Sequence, residues 1–197
     1  MESFHQHSGK IALLLEDNID TDRIIPARFL SRVSRSGYGE LLFSDVRKDD
    51  FPLDRPEAKG ASILVVGTNF GCGSSREHAV WAIQQAGYRA VIALIKGYSP
   101  GYSDIFRQNA ANCGLLLIEL PEADHAKLVK AGVGATITID LPNQTIAVGP
   151  ESIHFEMNPT NKEAIVNGLD LIGTTLVYDD AISNYEGHAK AFVTPGA

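Results

Sequence analysis

The sequence predicts an α/β fold in three layers around a mixed, partly parallel sheet. Short apolar runs alternate with helical patterns, as in βαβ units. The runs 62–66 and 89–94 enclose one such helix with short links, so their strands should pair in parallel through a right-handed crossover. The segment 135–148 alternates with period two on both sides of a Pro-Asn-Gln turn and predicts an antiparallel hairpin. At 197 residues, the chain 1–197 is expected to form one domain.

The first third of the chain predicts a strand, a polar turn and a surface excursion. Residues 10–15 should form the strand, and 16–23 follow as a turn rich in carboxylates. From composition alone this turn is an Asx-type loop and helix cap, and it lacks the glycine and final glutamate of a calcium loop. Pro26 should open a short helix over 27–33. The charged, proline-containing stretch 40–59 should run over the surface.

The rest of the chain predicts further helices and strands from apolar periodicity and from glycine or proline at the ends. A helix from Ser75 should end near Gly87. The other expected elements are helices at 104–110, 121–131, 161–167 and 178–187 and strands at 115–118 and 153–156.

Composition excludes several classes of function. The net charge of −7, without a basic run, argues against nucleic-acid binding. No apolar run approaches the roughly 20 residues that span a bilayer, and the polar first residues lack the apolar core of a signal peptide. The two cysteines make no disulfide framework. We therefore expect a cytoplasmic protein.

The stretch 67–78, GTNFGCGSSREH, carries the strongest functional signal. Its three glycines allow a tight turn and close approach to a ligand, and the N-terminus of the following helix favours anions. Ser74 or Ser75 should cap that helix, and Glu77 can close a capping box with Ser74. Arg76 stands beside both hydroxyls and is suited to clamp a carboxylate with two parallel hydrogen bonds.

Other chemistries fit this stretch less well. It lacks the Gly-Lys-Ser/Thr of a P-loop, the third glycine of a dinucleotide fingerprint and the Gly-x-Ser-x-Gly elbow of an esterase. Cys72, near a helix N-terminus, could have a lowered pKa, but no partner base is evident. His78 more often orients or packs than catalyses. The residues alone therefore predict a carboxylate-binding site, with proton transfer by Ser74 only if its alkoxide were strongly stabilised.

The stretch 69–79 resembles the signature of the swivelling domain of the aconitase superfamily. Residues 18–26, 103–110 and 167–176, with Tyr185-Glu186, resemble motifs of the small subunits of bacterial 3-isopropylmalate dehydratases. The resemblance runs in register over nearly the whole chain. It implies the swivelling-domain fold and a hydro-lyase of leucine biosynthesis, which interconverts 2-isopropylmalate and 3-isopropylmalate by dehydration and rehydration through isopropylmaleate.

The resemblance also implies a cofactor and a partner. Family enzymes use a 4Fe–4S cluster, bound by three cysteines, as a Lewis acid on the substrate. Cys72 and Cys113 are the only cysteines of this chain and cannot supply three ligands. We therefore expect the cluster on the large subunit of a heterodimer, no metal on this chain, and no activity from this chain alone.

Site residues follow from the resemblance, position by position. Ser74 matches the catalytic base, which takes a proton from the carbon next to a carboxylate. Arg76 matches a binder of the substrate carboxylate, and Ser75 matches an active-site hydroxyl. Asp22 matches a catalytic-site aspartate, which reverses the structural interpretation of its turn.

A further arginine and a loop are implied by the same comparison. Arg35 matches a second substrate arginine, across a stretch that does not align cleanly. The loop 32–42 is expected to face the variable side group of the substrate.

Departures from the family pattern leave alternatives open. The segment 94–103 is longer than the usual link, and residues 111–114 differ from the family. A small subunit of a 2-methylmalate (citraconate) or homoaconitate hydratase, or a non-catalytic binding module of the same fold, therefore stays possible. An independent enzyme that uses Cys72 is a third class.

Overall fold

One seven-stranded sheet organises the protein. The computed structural model describes residues 1–32, 34–73 and 76–189. Its strands are β1 Gln6–Leu14, β2 Ile63–Val66, β3 Ala90–Ile95, β4 Leu116–Pro121, β5 Thr136–Asp140, β6 Thr145–Val148 and β7 Glu151–His154. Its α-helices are α1 Thr21–Ile24, α2 Glu77–Gln85, α3 Asp104–Cys113, α4 Glu122–Ala131, α5 Pro159–Asn167, α6 Leu171–Leu176 and α7 Asp179–His188.

The sheet is parallel on one side of β1 and antiparallel on the other. Its strand order is β4-β3-β2-β1-β5-β6-β7. The strands β1 to β4 pair in parallel, whereas β5, β6 and β7 form an antiparallel meander that joins β1 through β5. The predicted βαβ unit, the predicted hairpin and the mixed sheet are thus confirmed.

Helices and loops cover both faces of the parallel strands. On one face, α2, α3 and the excursion between β1 and β2 pack on Leu64 and Val66. On the other face, α4 and α5 belong to the cluster around Val65 and Ile92. All four residues of β2 are buried, because a strand covered on both faces needs apolar side chains at every position. The predicted three-layer architecture is confirmed.

The first strand and the first helix differ from the prediction. The strand β1 begins at Gln6 rather than at residue 10, because its polar first half pairs with β5. The predicted helix over 27–33 is only a 3-10 turn at Ala27–Phe29, and Val33 lies outside the described residues. The α-helix instead precedes Pro26, with Asp20 as its N-cap. It ends there because a residue before proline is driven to extended backbone, and Ile25 has φ −141° and ψ 113°.

The last two helices form a segment that exposes apolar side chains. The helix α7 was predicted, at slightly different bounds, whereas α6 was not. None of the helices in the described ranges has both the length and the apolar character needed to cross a membrane. The large exposed apolar residues of this segment are Leu171, Ile172, Leu176, Val177, Tyr178, Ile182 and Tyr185.

Replacing an exposed side chain of α7 is expected to leave the folded chain unaffected. The variant Tyr185→Ser should change the free energy of unfolding by less than about 0.5 kcal/mol, because a surface side chain has little native packing to lose. Its buried counterpart in α5, Ile165→Ser, should lose about 3 kcal/mol or more, because it leaves a cavity and buries a hydroxyl. Urea unfolding at low protein concentration measures both. Equal losses would mean that α7 packs on the domain.

Candidate active site

Three loops meet at the carboxyl ends of the parallel strands. The loop after β1 pairs with the loop after β2 through three backbone hydrogen bonds, the first of them from Asn18 N to Thr68 O at 2.9 Å. Gly71 N donates to Ile19 O at 2.8 Å, and Thr21 N donates to Cys72 O at 3.0 Å. The loop after β3 lies on the other side, where Phe70 N donates to Gly101 O at 2.8 Å. In open α/β sheets this edge is where ligands bind.

Polar side chains of the turn after β1 reinforce this pairing. Asp17 Oδ1 accepts a hydrogen bond from Thr68 N at 2.7 Å. Asn69 Nδ2 donates to Asn18 Oδ1 at 2.8 Å. Both asparagines have left-handed backbone, with φ values of 57° and 55°, which asparagine tolerates better than most residues. This part of the turn is structural, as its composition indicated.

The glycine turn is fixed by sterics. Gly71 has a φ of +73°, and a Cβ at this position would lie 2.3 Å from Cγ of Phe106 in α3. Ser103 Oγ, at the start of α3, donates to the carbonyl of Gly71 at 2.7 Å. The turn therefore needs glycine for its backbone conformation and for the ring behind it. This confirms the predicted tight turn.

Arg76 and Asp22 meet at this edge of the sheet, although they are 54 positions apart in the chain. Nη1 of Arg76 donates to Oδ1 of Asp22 in an ion pair. The side chains are 21% and 53% exposed. Exposed ion pairs stabilise a fold by only about 0–1 kcal/mol. The ion pair therefore adds little to the stability of the fold.

The helix α2 begins later than predicted. Arg76 is its N-cap, with φ −120° and ψ 122° and no side-chain cap hydrogen bond, and Glu77 is its first residue. The predicted helix start at Ser75 is therefore wrong, and the N-cap position belongs to Arg76. Ser74 and Ser75 themselves lie outside the described residues, so their catalytic and substrate-binding roles stay predictions.

The surroundings of both cysteines raise the pKa of their thiols. Burial, together with the nearby Asp20 carboxylate, raises the pKa of Cys72. The lowered pKa considered for this residue is wrong, since α2 starts five positions further on. Burial and the Glu77 carboxylate raise the pKa of Cys113 to about 12; its Sγ donates to Glu77 Oε1 at 3.3 Å.

Two cysteines are too few to hold an iron–sulfur cluster. Such clusters are held by thiolates, usually in sets of three or four. Across 1–32, 34–73 and 76–189, no group of three or more His, Cys, Asp and Glu side chains is arranged to hold a metal ion.

Arg35 and His78 lie on one face of α2. The guanidinium carbon of Arg35 is 5.3 Å from the centroid of the Trp81 ring, so Arg35 stacks on α2 rather than joining the Arg76–Asp22 ion pair. The His78 ring packs between Trp81, at 4.6 Å, and Tyr38, at 5.4 Å. The prediction that His78 packs is confirmed.

Sequence reasoning missed the residue that ties the loop 32–42 to this helix. Gln85 Oε1 accepts from Tyr38 N at 2.8 Å, and Gln85 Nε2 donates to Arg35 O at 2.8 Å. The one available signal was helical spacing, because His78, Trp81 and Gln85 follow one another at i, i+3 and i+7 on the same face. A pattern of that kind does not reveal a partner in a distant loop.

Two family models match the chain, one over the parallel strands and one over the antiparallel meander. A family model described as the Aconitase C-terminal domain matches residues 1–123, and a second model, LeuD_N, matches residues 126–159. The first match covers more than half of the chain, so the chain contains an aconitase-type C-terminal domain.

Relatives narrow the class to one family. A 3-isopropylmalate dehydratase small subunit of Bacillus cereus (strain AH820) is 43% identical, with 98% of this chain and all of that chain covered. A protein of the same name from Bacillus thuringiensis subsp. konkukian (strain 97-27) is 44% identical over the same shares. The chain belongs to the family of 3-isopropylmalate dehydratase small subunits.

A solved structure agrees with this assignment. The crystal structure of the 3-isopropylmalate dehydratase LeuD protein from Methanocaldococcus jannaschii is similar, with a TM-score of 0.65 and 28% sequence identity. The similarity covers 92% of this chain and 99% of that one.

Alanine at the two glycines of the turn should have unequal effects. Gly71 and Gly73 both have positive φ, so both variants carry backbone strain of about 1–2 kcal/mol. A Cβ on Gly73 meets only the Cβ of Asp20, at 3.4 Å, whereas a Cβ on Gly71 enters the Phe106 ring. Gly71→Ala should therefore lose about 2 kcal/mol more than Gly73→Ala in urea unfolding. Equal losses would mean that the ring moves freely.

The folded chain should resist thiol alkylation at neutral pH. With a pKa of about 12, Cys113 is ionised at pH 7 in a fraction of only about 10⁻⁵. Iodoacetamide should leave Cys113 unmodified in the folded chain and label it in the urea-unfolded chain. In the folded chain, the rate of labelling of Cys113 should rise about tenfold per pH unit above pH 7. Mass spectrometry of the two samples measures the difference. Rapid labelling of Cys113 in the folded chain would contradict the protonated state.

Proposed function

We propose that this chain is the small subunit of a 3-isopropylmalate dehydratase. With a large subunit, it interconverts 2-isopropylmalate and 3-isopropylmalate by dehydration and rehydration through isopropylmaleate, as a step of leucine biosynthesis. The proposal depends most on one observation: Arg76 and Asp22 come together at the carboxyl edge of the sheet, on the two motifs that resemble the family.

Arg76 is proposed to bind a carboxylate of the substrate. Its planar guanidinium matches a carboxylate with two parallel hydrogen bonds. Asp22 accepts a hydrogen bond from Nη1 of this guanidinium. Substrate binding would then exchange one carboxylate for another, while Asp22 keeps the guanidinium in place until the exchange.

Ser74 is proposed as the base that takes the proton from the carbon next to that carboxylate. A serine hydroxyl is a weak base, so its alkoxide needs positive charge nearby. Ser74 precedes Arg76 by two positions in the chain, and Arg76 is the N-cap of α2. Arg76 also offsets the negative charge that develops beside the bound carboxylate. Ser75 is proposed to hold the base or the substrate.

The remaining half of the site is proposed to come from a large subunit. The described part of the site lies open, because Gly73 and Asp22 are exposed. The chain's two cysteines are fewer than the three ligands that the cluster needs, so the 4Fe–4S cluster is assigned to the large subunit. The similar Bacillus proteins are named small subunits, and exposed apolar residues such as those of α6 and α7 are typical of chains that work in complexes. We expect the heterodimer in the cytoplasm, with residues 1–197 acting as one domain.

Isopropylmalate is favoured over the related substrates. The Bacillus proteins that are similar over their full length are named after isopropylmalate. Nothing in the described structure favours 2-methylmalate or homoaconitate. The loop 32–42 is proposed to face the isopropyl group, and Arg35 stays proposed as a second arginine that binds the substrate. The contact of this loop with α2, the helix that Arg76 caps, supports that placement.

Reconstitution tests the proposal. The chain is mixed anaerobically with a cluster-loaded large subunit, and the absorbance of isopropylmaleate is followed. Ser74→Ala should lower kcat by at least about 10³-fold, because the proton acceptor is lost. Arg76→Lys should lower kcat/KM about 10²-fold, because an ammonium cannot make the paired hydrogen bonds. Both variants should still assemble, as measured by size-exclusion chromatography.

A matched control is available at the opposite edge of the sheet. Arg89 precedes β3 and pairs with Glu2, so Arg89→Lys should retain full activity. Activity from the small chain alone, or full activity of the assembled Ser74→Ala variant, would contradict the proposal.

A further inference from the structure

We propose that Gln85 is a positioning residue, which holds the loop segment 35–38 against α2 and thereby sets the affinity for the side group of the substrate. The inference about affinity rests on the proposed function, whereas the inference about the loop does not.

One side-chain amide satisfies two backbone groups of the loop. The carbonyl of Gln85 accepts from the N–H of Tyr38, and its NH₂ group donates to the carbonyl of Arg35, both at 2.8 Å. A donor and an acceptor three residues apart can be matched in this way only by a side chain that offers both, such as Asn or Gln. Gln85 therefore fixes the loop at two points.

Aromatic packing holds the same segment from the side. Tyr38 is fully buried, and its ring meets His78 at 5.4 Å and Trp81 at 5.8 Å, both edge-on. The guanidinium of Arg35 lies over the ring of Trp81. Because these helix residues share one face with Gln85, the segment 35–38 lies along α2 rather than away from it.

The loop backbone also touches the end of α2 directly. A Cβ on Gly39 would lie 2.5 Å from both the carbonyl carbon and the oxygen of Gln85. No side chain separates the loop from the helix at this point. The hydrogen bonds of Gln85 are therefore part of a close contact and not a chance approach of a long side chain.

The consequence concerns the spacing of two functional parts. Arg76 caps α2 at one end and Gln85 is its last residue. A helix rises about 1.5 Å per residue, so these residues are separated by about 13 Å along the axis. The helix thus sets the distance between the carboxylate clamp and the loop for the side group. Loss of Gln85 should weaken binding of the side group without slowing proton transfer.

Two variants and one control isolate the hydrogen bonds. Gln85→Met keeps the length of the side chain and removes both bonds. Gln85→Glu keeps the acceptor for Tyr38 N and replaces the donor to Arg35 O by an oxygen. The control is Gln84→Met, since Gln84 Nε2 donates instead to Cys113 O in α3, at 2.9 Å.

Limited trypsin digestion of the isolated chain tests the tether. Two lost hydrogen bonds should speed cleavage after Arg35 about tenfold in Gln85→Met. Gln85→Glu should give an intermediate rate, and Gln84→Met should match the unmodified chain. Mass spectrometry identifies the cut. An unchanged rate after Arg35 in both Gln85 variants would overturn the tether.

Kinetics with the large subunit test the role in binding. In Gln85→Met, KM for isopropylmalate should rise about fivefold to tenfold while kcat stays within twofold. The inhibition constant of maleate, which has both carboxylates and no side group, should stay within twofold. Faster cleavage with an unchanged KM would overturn the binding role and leave the proposed function intact. An inactive unmodified complex would overturn the proposed function, while the digestion still decides the tether.

Discussion

The pairing of two turns, one after β1 and one after β2, holds the candidate site together. Its hydrogen bonds join Gly71 to Ile19 and Thr21 to Cys72, and it extends the parallel register of the two strands beyond their ends. Asp22 follows directly in α1, and Arg76 follows the glycine turn. Neither side chain has another reason to approach the other, because their motifs are far apart in sequence. The positive φ at Gly71 and the Phe106 ring behind it leave little freedom in how the turns meet.

Much of this architecture can be predicted from the sequence, because local sequence patterns determine its strands, turns and helices. The fully apolar run of β2, the glycine turn and the helix α2 form one continuous pattern, and the alternating hairpin forms another. The turn after β1 shows the limit of composition. Asp20 accepts from the nearby N–H of Arg23, as a helix cap does, and Asp17 accepts from the distant N–H of Thr68, whereas Asp22 faces Arg76. The carboxylates look alike in the sequence, and only the resemblance to a family singled out Asp22.

The errors arise where a contact that the prediction did not weigh, either local or distant, overrides a local signal. Serine is a good N-cap, yet Arg76 caps α2, in extended backbone. Pro26 is a good first residue of a helix, yet Asp20 captures the N–H of Arg23 and starts α1 earlier. Burial and Asp20 raise the pKa of Cys72. The prediction used only how close Cys72 is to a helix in the sequence, and that closeness does not reveal burial or the Asp20 carboxylate. Gln85 was missed because its partners are backbone groups of a loop 47 and 50 positions away.

That choice of partners matters for how such a protein can change. A tether made to an N–H and a carbonyl does not depend on which side chains the loop carries. An exposed loop residue such as Ser36 can therefore be exchanged while the loop keeps its place on the helix. Evolution toward another side group can then act on the wall of the pocket without disturbing the arginine at the other end of α2. The same helix would conserve the chemistry and permit new substrates, which makes this surface a natural starting point for redesigning specificity.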